Sequence, residues 1–263
     1  MARLSPLFSG SSGNSYYIGS RSAGLLIDAG RSARQIDGML KVLGINPLAI
    51  QGILVTHEHS DHVSGLRVFA KKHSLPIFAT GGTLSAIRGM VGDTARLCPV
   101  EPGETLELAG MEVSPFSVSH DCTDPVGYRI ATADGRGFCL ATDLGFVSDS
   151  VRERLLGCDL VVLESNHDEE MLKKGPYPYV LKRRILSDRG HLSNASCTRL
   201  LPQLAKSGVR RFLLAHLSRE NNSPALAEST AVEGLTQAGY TRDLDYMLEI
   251  APVENTEGRT IIF

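Results

Sequence analysis

The chain has 263 residues, 42% of them hydrophobic and 21% charged, with a formal net charge of -2. That length supports one α/β domain with a large core over residues 1–263. The charge balance gives no global basic footprint that would by itself argue nucleic-acid binding. No run of about 18 apolar residues exists, so no membrane span is expected, and Met1-Ala2-Arg3-Leu4-Ser5-Pro6 carries no apolar leader core. The five cysteines are scattered and form no CxxC, which fits a reducing cytoplasm better than a disulfide framework.

In chain order, Leu7-Phe8 and Tyr16-Tyr17-Ile18 read as strands across a Gly/Ser/Asn turn, Ser9 to Ser15. The turn is either a plain hairpin connection or a loop whose Ser12 and Asn14 contact a phosphate. Gly24 to Ile27 is a strand ending at Asp28, and Arg31 to Leu43 has helical spacing with Gly44 as its stop. Gly52 to Val55 is a buried strand, Val63 to His73 a helix, and Leu75 to Ala79 a short strand. Glu104 to Leu108 and Met111 to Ser117 form a hairpin, followed by His120 and a strand at Pro125 to Ile130. Phe138 to Ala141 and Asp159 to Leu163 are further strands. Tyr177 to Leu186 is a short helix bearing Lys182-Arg183-Arg184. Ser193 or Asn194 caps the next helix. Arg211 to Ala215 is a strand ending at His216, Pro224 to Ala238 a helix, and strands near Asp245 to Ile250 and Arg259 to Phe263 close the chain.

Between the Gly52–Val55 strand and its helix lies His57-Glu58-His59-Ser60-Asp61-His62, with three of the eight histidines of the chain. In an extended turn His57 and His59 can face one point, and Asp61 and His62 a second. A mixed imidazole and carboxylate shell suits zinc, manganese or iron. Asp28, His57, Asp143, Glu164 and His216 all fall just after apolar strands, where ligands converge in open α/β sheets. A carboxylate such as Asp28 at a buried strand end needs a partner. That partner is either the outer N–H of a metal-bound histidine or the first turn of the following segment. With no Trp and few aromatics, base stacking has little compositional support.

The hexad resembles the HxHxDH signature of the metallo-beta-lactamase superfamily, and Asp28, His120, Asp143 and His216 stand in that family's order across nearly the whole chain. The resemblance implies an α/β fold, a four-layered αββα sandwich, and two divalent metal ions, zinc or manganese. It implies that His57, His59 and His120 hold one ion, that Asp61, His62 and His216 hold the other, and that Asp143 bridges both. Relatives that bind di-iron carry an acidic residue where this chain has His59, so hydrolysis is expected. Ser119-His120 with Gly127-Tyr128-Arg129-Ile130 resembles the phosphodiesterase branch, and Gly190-His191-Leu192-Ser193 resembles its extra histidine motif, whose histidine protonates the leaving oxygen. The segments Ser9 to Asn14, Glu164 to Asp168, Lys182 to Leu186, Gly190 to Asn194 and Ala215 to Asn222 look like the YycJ/WalJ group of bacterial proteins. That likeness implies a 5′-to-3′ DNA exonuclease using a metal-bridging hydroxide as nucleophile, with Asp61 orienting it. His191 is the expected general acid. Asn166, His167 and Arg184 are expected at the substrate, His167 being equally open as a supporting loop residue or a spare ligand. The competing expectation is a metallohydrolase of the same fold acting on a cyclic phosphodiester, a thioester or a lactone.

Overall fold

The computed structural model describes residues 2–93 and 95–263. The strands are β1 (Arg3–Phe8), β2 (Ser15–Gly19), β3 (Gly24–Ile27), β4 (Ile50–Leu54), β5 (Ile77–Ala79), β6 (Leu97–Pro99), β7 (Leu106–Leu108), β8 (Met111–Ser117), β9 (Val126–Ala131), β10 (Gly137–Ala141), β11 (Leu160–Glu164), β12 (Arg211–Ala215), β13 (Met247–Ile250) and β14 (Ile261–Ile262). The helices are α1 (Ala33–Val42), α2 (Ser60–Val63), α3 (Leu66–His73), α4 (Gly81–Val91), α5 (Asp149–Leu155), α6 (Glu169–Lys174), α7 (Tyr179–Ile185), α8 (Asn194–Lys206) and α9 (Pro224–Gln237). Two compact units result. One comprises Met1–Ser117, Cys122–Arg136 and Pro252–Phe263, and the other Val118–Asp121 with Gly137–Ala251.

In the first unit a sheet runs in the order β14-β1-β2-β3-β4-β5-β6. Pairing is antiparallel from β14 to β3 and parallel from β3 to β6. The parallel half is reached through crossover helices, which bury the strands and explain their unbroken apolar runs. Ile36, Met39 and Leu40 of α1, Phe69 of α3 and Ile87 of α4 share one core with Leu26, Ile53 and Ile77 of the strands. Each such side chain contributes about 1.5–3 kcal/mol when fully buried. The same unit holds the antiparallel meander β7-β8-β9.

In the second unit β10, β11, β12 and β13 pair parallel and in that order. Ala141 lies beside Leu163 and Glu164 beside Ala215. The three strands therefore end at one level, which delivers whatever follows them to one place. Serine caps serve both units: Ser32 on α1, Ser148 on α5, Ser193 on α8 and Ser223 on α9 each accept from a backbone N–H of the first turn.

The helix expected over Val63 to His73 is broken in two. Gly65 separates α2 from α3, and its N–H donates to the Ala29 carbonyl at 2.8 Å instead of continuing a single helix. A Cβ there would strike the Arg31 carbonyl oxygen. Gly30 is as closely packed, since its Cβ would meet the Asp61 carbonyl oxygen and the Asn14 nitrogen. These two glycines let the strand-end loops close on the histidine-rich turn. Gly30→Ala is therefore expected to destabilise the protein by about 3 kcal/mol, read as a lower urea midpoint at unchanged slope. An unchanged midpoint would show that the loop opens freely.

Candidate metal centre

In the first unit the neighbouring ends of β3 and β4 place Asp28 against Thr56, His57 and His62. The Asp28 carboxylate accepts from Thr56 N at 2.8 Å, Thr56 Oγ1 at 2.9 Å and His62 Nδ1 at 2.8 Å. Thr56 Oγ1 also lies 3.0 Å from His57 Nδ1. The rings of His57 and His59 meet edge to face at 4.7 Å, and those of His57 and His62 are 4.1 Å apart. Backbone bonds from Asn14 N to Asp61 O at 2.7 Å and from Ala29 N to His62 O at 2.8 Å hold the turn in place.

In the second unit Asp143, Glu164, His191 and His216 form a cluster whose ligand atoms lie within 4.8 Å of one another. Glu164, the last residue of β11, is 0% exposed. Its Oε1 accepts from His191 Nδ1 at 2.9 Å and His216 Nδ1 at 2.7 Å, and its Oε2 from Leu192 N at 2.9 Å and Leu144 N at 3.2 Å. Burial alone would raise this carboxyl, but the facing His191 charge and the two imidazole hydrogen bonds outweigh burial and bring it down to about 2. Asp143 Oδ1 stands 3.2 Å from His216 Nδ1 and 3.6 Å from His191 Nδ1. His120 gives its Nδ1 to the Gly190 carbonyl at 3.0 Å. Burial is the main cause that lowers the pKa of His120, opposed by Asp143, and a neutral imidazole is the form that ligates metal.

The donor set fits divalent ions. His57, His62, His120 and His216 each have Nδ1 tied to an oxygen, by Thr56, Asp28, Gly190 and Glu164 respectively. That pattern fixes the ring and makes Nε2 the lone-pair nitrogen, as in metal-ligating histidines. Asp28→Asn leaves one oxygen for three donors and turns an NH2 group toward the rest. Metal affinity is expected to fall about 10–100-fold in a competitive chelator titration, with activity returning at saturating metal. Unaltered affinity would remove Asp28 from this role.

The other expected site residues are placed as follows. Ser12 Oγ accepts from Arg31 at 2.8 Å. Asn14 is buried, its amide bonded to Gly10, Asp61 and His62. Asn166 is buried and donates to the His216 carbonyl at 2.8 Å. Both asparagines thus hold the loops that carry ligands. His167 is 1% exposed, and neither ring nitrogen has a hydrogen-bond partner among the described residues. Its pKa is lowered, by burial above all. Arg184 pairs through its guanidinium with Asp121, next to His120. Sequence reasoning counted Glu164 among the strand-end residues where ligands converge but gave it no individual role. The available signal was the one that found Asp28 and Asp143, a carboxylate closing a fully apolar strand.

The chain belongs to the beta-lactamase superfamily, whose domain model matches residues 24–217. The α/β sandwich of the metallo-beta-lactamase fold, expected from the sequence resemblance, is accordingly its fold. Within the superfamily it is 39% identical to exodeoxyribonuclease YycJ of Bacillus anthracis, over 90% of each chain. It is 38% identical to exodeoxyribonuclease WalJ of Streptococcus pneumoniae, over 93% of this chain and 92% of that one. The solved structure of Zn(2+)-bound PqqB from Methylobacterium extorquens superposes with a TM-score of 0.73 at 17% identity, covering 99% of this chain and 100% of the other. No helix among the described residues is long and apolar enough to cross a membrane.

Proposed function

We propose that the protein is a dinuclear metal-dependent phosphodiesterase, an exonuclease that degrades DNA from its 5′ end. The observation that carries this reading is His191, held by a buried carboxylate inside a cluster of metal-capable side chains. The substrate class is supported by the two relatives named as exodeoxyribonucleases, matched over nearly their full length. In this reading His57, His59 and His120 would hold one ion and Asp61, His62 and His216 the other, with Asp143 available to both. Two such ions, zinc or manganese, would supply a water acidic enough to attack near neutral pH and a sink for phosphoryl charge.

The remaining work falls to the chain. With Nδ1–H on Glu164, His191 in its imidazolium form carries a second proton on Nε2; handing that proton to the leaving ester oxygen converts a poor alkoxide leaving group into an alcohol and leaves the neutral ring. Asp61, at the start of α2, orients the attacking water. Ser12, Asn14, Asn166, His167 and Arg184 line or support the path of the substrate. Arg184 offers a planar fork to a phosphate on exchanging its Asp121 partner. The reading places the enzyme in the cytoplasm.

The test is nucleotide release from end-labelled duplex DNA with one terminus blocked, in zinc, in manganese and in chelator. Release from the open 5′ end with metal, and none in chelator, is the expected result. Turnover of bis-p-nitrophenyl phosphate should also exceed that of a lactone or thioester. Preference for the lactone or thioester, with DNA left intact, would overturn the reading in favour of a small-molecule hydrolase.

A further inference from the structure

The chain contains 7 Tyr and 8 Phe, and two of these rings are exposed: Phe146 at 44% and Tyr179 at 73%. The other aromatics are buried or half-buried. Both exposed rings lie in the second unit, on segments that meet at one turn. Phe146 follows Asp143 by three residues. Gly145 between them donates to the Ser119 carbonyl at 2.9 Å, and a Cβ on it would run into the Asp188 backbone. Ser119 Oγ in turn donates to the Asp188 carbonyl at 2.7 Å. Tyr179 opens α7, which runs through the turn at Ser187 to Gly190 into His191. That turn is closed by Gly190 N to Ser187 O at 2.8 Å and His191 N to Ile185 O at 3.0 Å. Phe146 therefore follows directly on a residue packed against the turn that carries His191, and Tyr179 opens the helix that leads into that turn.

The charge beside Tyr179 is local and positive. Residues 177–191 contain Lys182, Arg183, Arg184 and Arg189 against the single Asp188, in a chain whose net charge is -2. Arg184 and Arg189 are exposed but engaged, with Asp121 and with the His120 carbonyl. Arg183, one helical turn from Tyr179, holds its guanidinium 5.9 Å from the centre of that ring. Val180 beside them is 78% exposed. A wet aromatic ring with a cation over it, and a second exposed ring at Phe146, suit a polyanion that carries flat apolar groups.

We propose that Tyr179, Arg183 and Phe146 form a seat for a single strand of DNA led toward His191, with bases stacked on the two rings and backbone phosphate on Arg183. The proposal rests on the nuclease reading above and names the surface by which it grips its substrate. Stacking accepts every base, so the seat confers grip without sequence preference. Composition hid this feature, because it counts aromatic residues without saying which of them reach solvent.

The seat is testable without turnover. Anisotropy of a short labelled single-stranded oligonucleotide, recorded in chelator, should show affinity falling about tenfold for Tyr179→Ala and for Phe146→Ala. Tyr179→Phe, which keeps the ring, should bind like the parent. Arg183→Gln should reduce the slope of log affinity against log salt by about 1. In the metal-loaded enzyme both alanine variants should raise KM for DNA at constant kcat, with turnover of bis-p-nitrophenyl phosphate retained. Unaltered affinity in both alanine variants overturns the seat, whatever other partner the face then serves. Equal losses in Tyr179→Ala and Tyr179→Phe overturn stacking, and a parallel loss of bis-p-nitrophenyl phosphate turnover shows that the rings merely support the site. A parent protein that hydrolyses bis-p-nitrophenyl phosphate but neither binds nor cleaves DNA overturns the nuclease reading and the seat with it.

Discussion

His191→Ala is expected to lower kcat on DNA by about 10²–10⁴ while metal content stays complete. The side chain stands at the cluster of Asp143, Glu164 and His216, where it could serve either as a ligand or as a proton donor. Its Nδ1 is bonded to Glu164 at 2.9 Å, and its ring lies 5.1 Å from that of His120 and 5.3 Å from that of His216. A ligand and a proton donor differ in what their removal costs. Losing a ligand depletes metal, and excess metal restores part of the rate. Losing a proton donor leaves metal in place and slows only the step in which the ester oxygen departs. A substrate with a good leaving group needs no proton there, so the variant should recover most of its rate on bis-p-nitrophenyl phosphate. Metal analysis paired with kcat on the two substrates decides. A variant short of metal would make His191 a ligand.

Glu164→Gln is the second large effect, and it acts through two histidines at once. The carboxylate accepts from both His191 and His216 through Oε1 and from two backbone N–H groups through Oε2. A glutamine offers one oxygen, and its NH2 group faces donors with no lone pair to give. The expected losses are about 10²–10⁴ in kcat, from the misheld His191, and about 10–100-fold in metal affinity, from the misheld His216. Stability should change with a definite sign. The Glu164 pKa is lowered from 4.5 to about 2 in the folded protein. Its contribution is therefore fully present above about pH 4.5 and is lost as pH falls toward 2. In urea titrations of chelated protein, the gap between parent and Glu164→Gln should be widest near pH 6 and shrink toward pH 3. A gap independent of pH would mean that the carboxylate is not the ionised acceptor described.

The parts of the fold legible in the sequence are those where a single local rule operates. Buried parallel strands announced themselves as short apolar runs, and their chemical residues followed at once, because a parallel sheet sends its strand ends to one edge. β6, Leu97-Cys98-Pro99, was not legible: three residues carry no period. Nor were α5 and α6, whose buried faces amount to Val151 and Leu155 in one and Leu172 in the other. The break at Gly65 depends on a carbonyl that arrives from Ala29, some 36 positions earlier in the chain, and no local pattern encodes it. Within the candidate site the metal-capable residue types were legible from chemistry and spacing. The acceptors that aim them, Thr56, the Gly190 carbonyl and Glu164, depend on tertiary placement.

Asp28, Asp143 and His216 share one further property: each has a left-handed backbone, with φ of 60°, 58° and 57°. At such positions glycine is the residue that relaxes the main chain, and an ordinary side chain costs about 1 kcal/mol or more. Natural drift toward greater thermal robustness is thus closed off at three points, since the residue that would settle the main chain is the one that erases the chemistry. A heat-tolerant descendant of this protein must gain its robustness elsewhere, and the bends behind β3, β10 and β12 remain as a standing debt of the trade it practises.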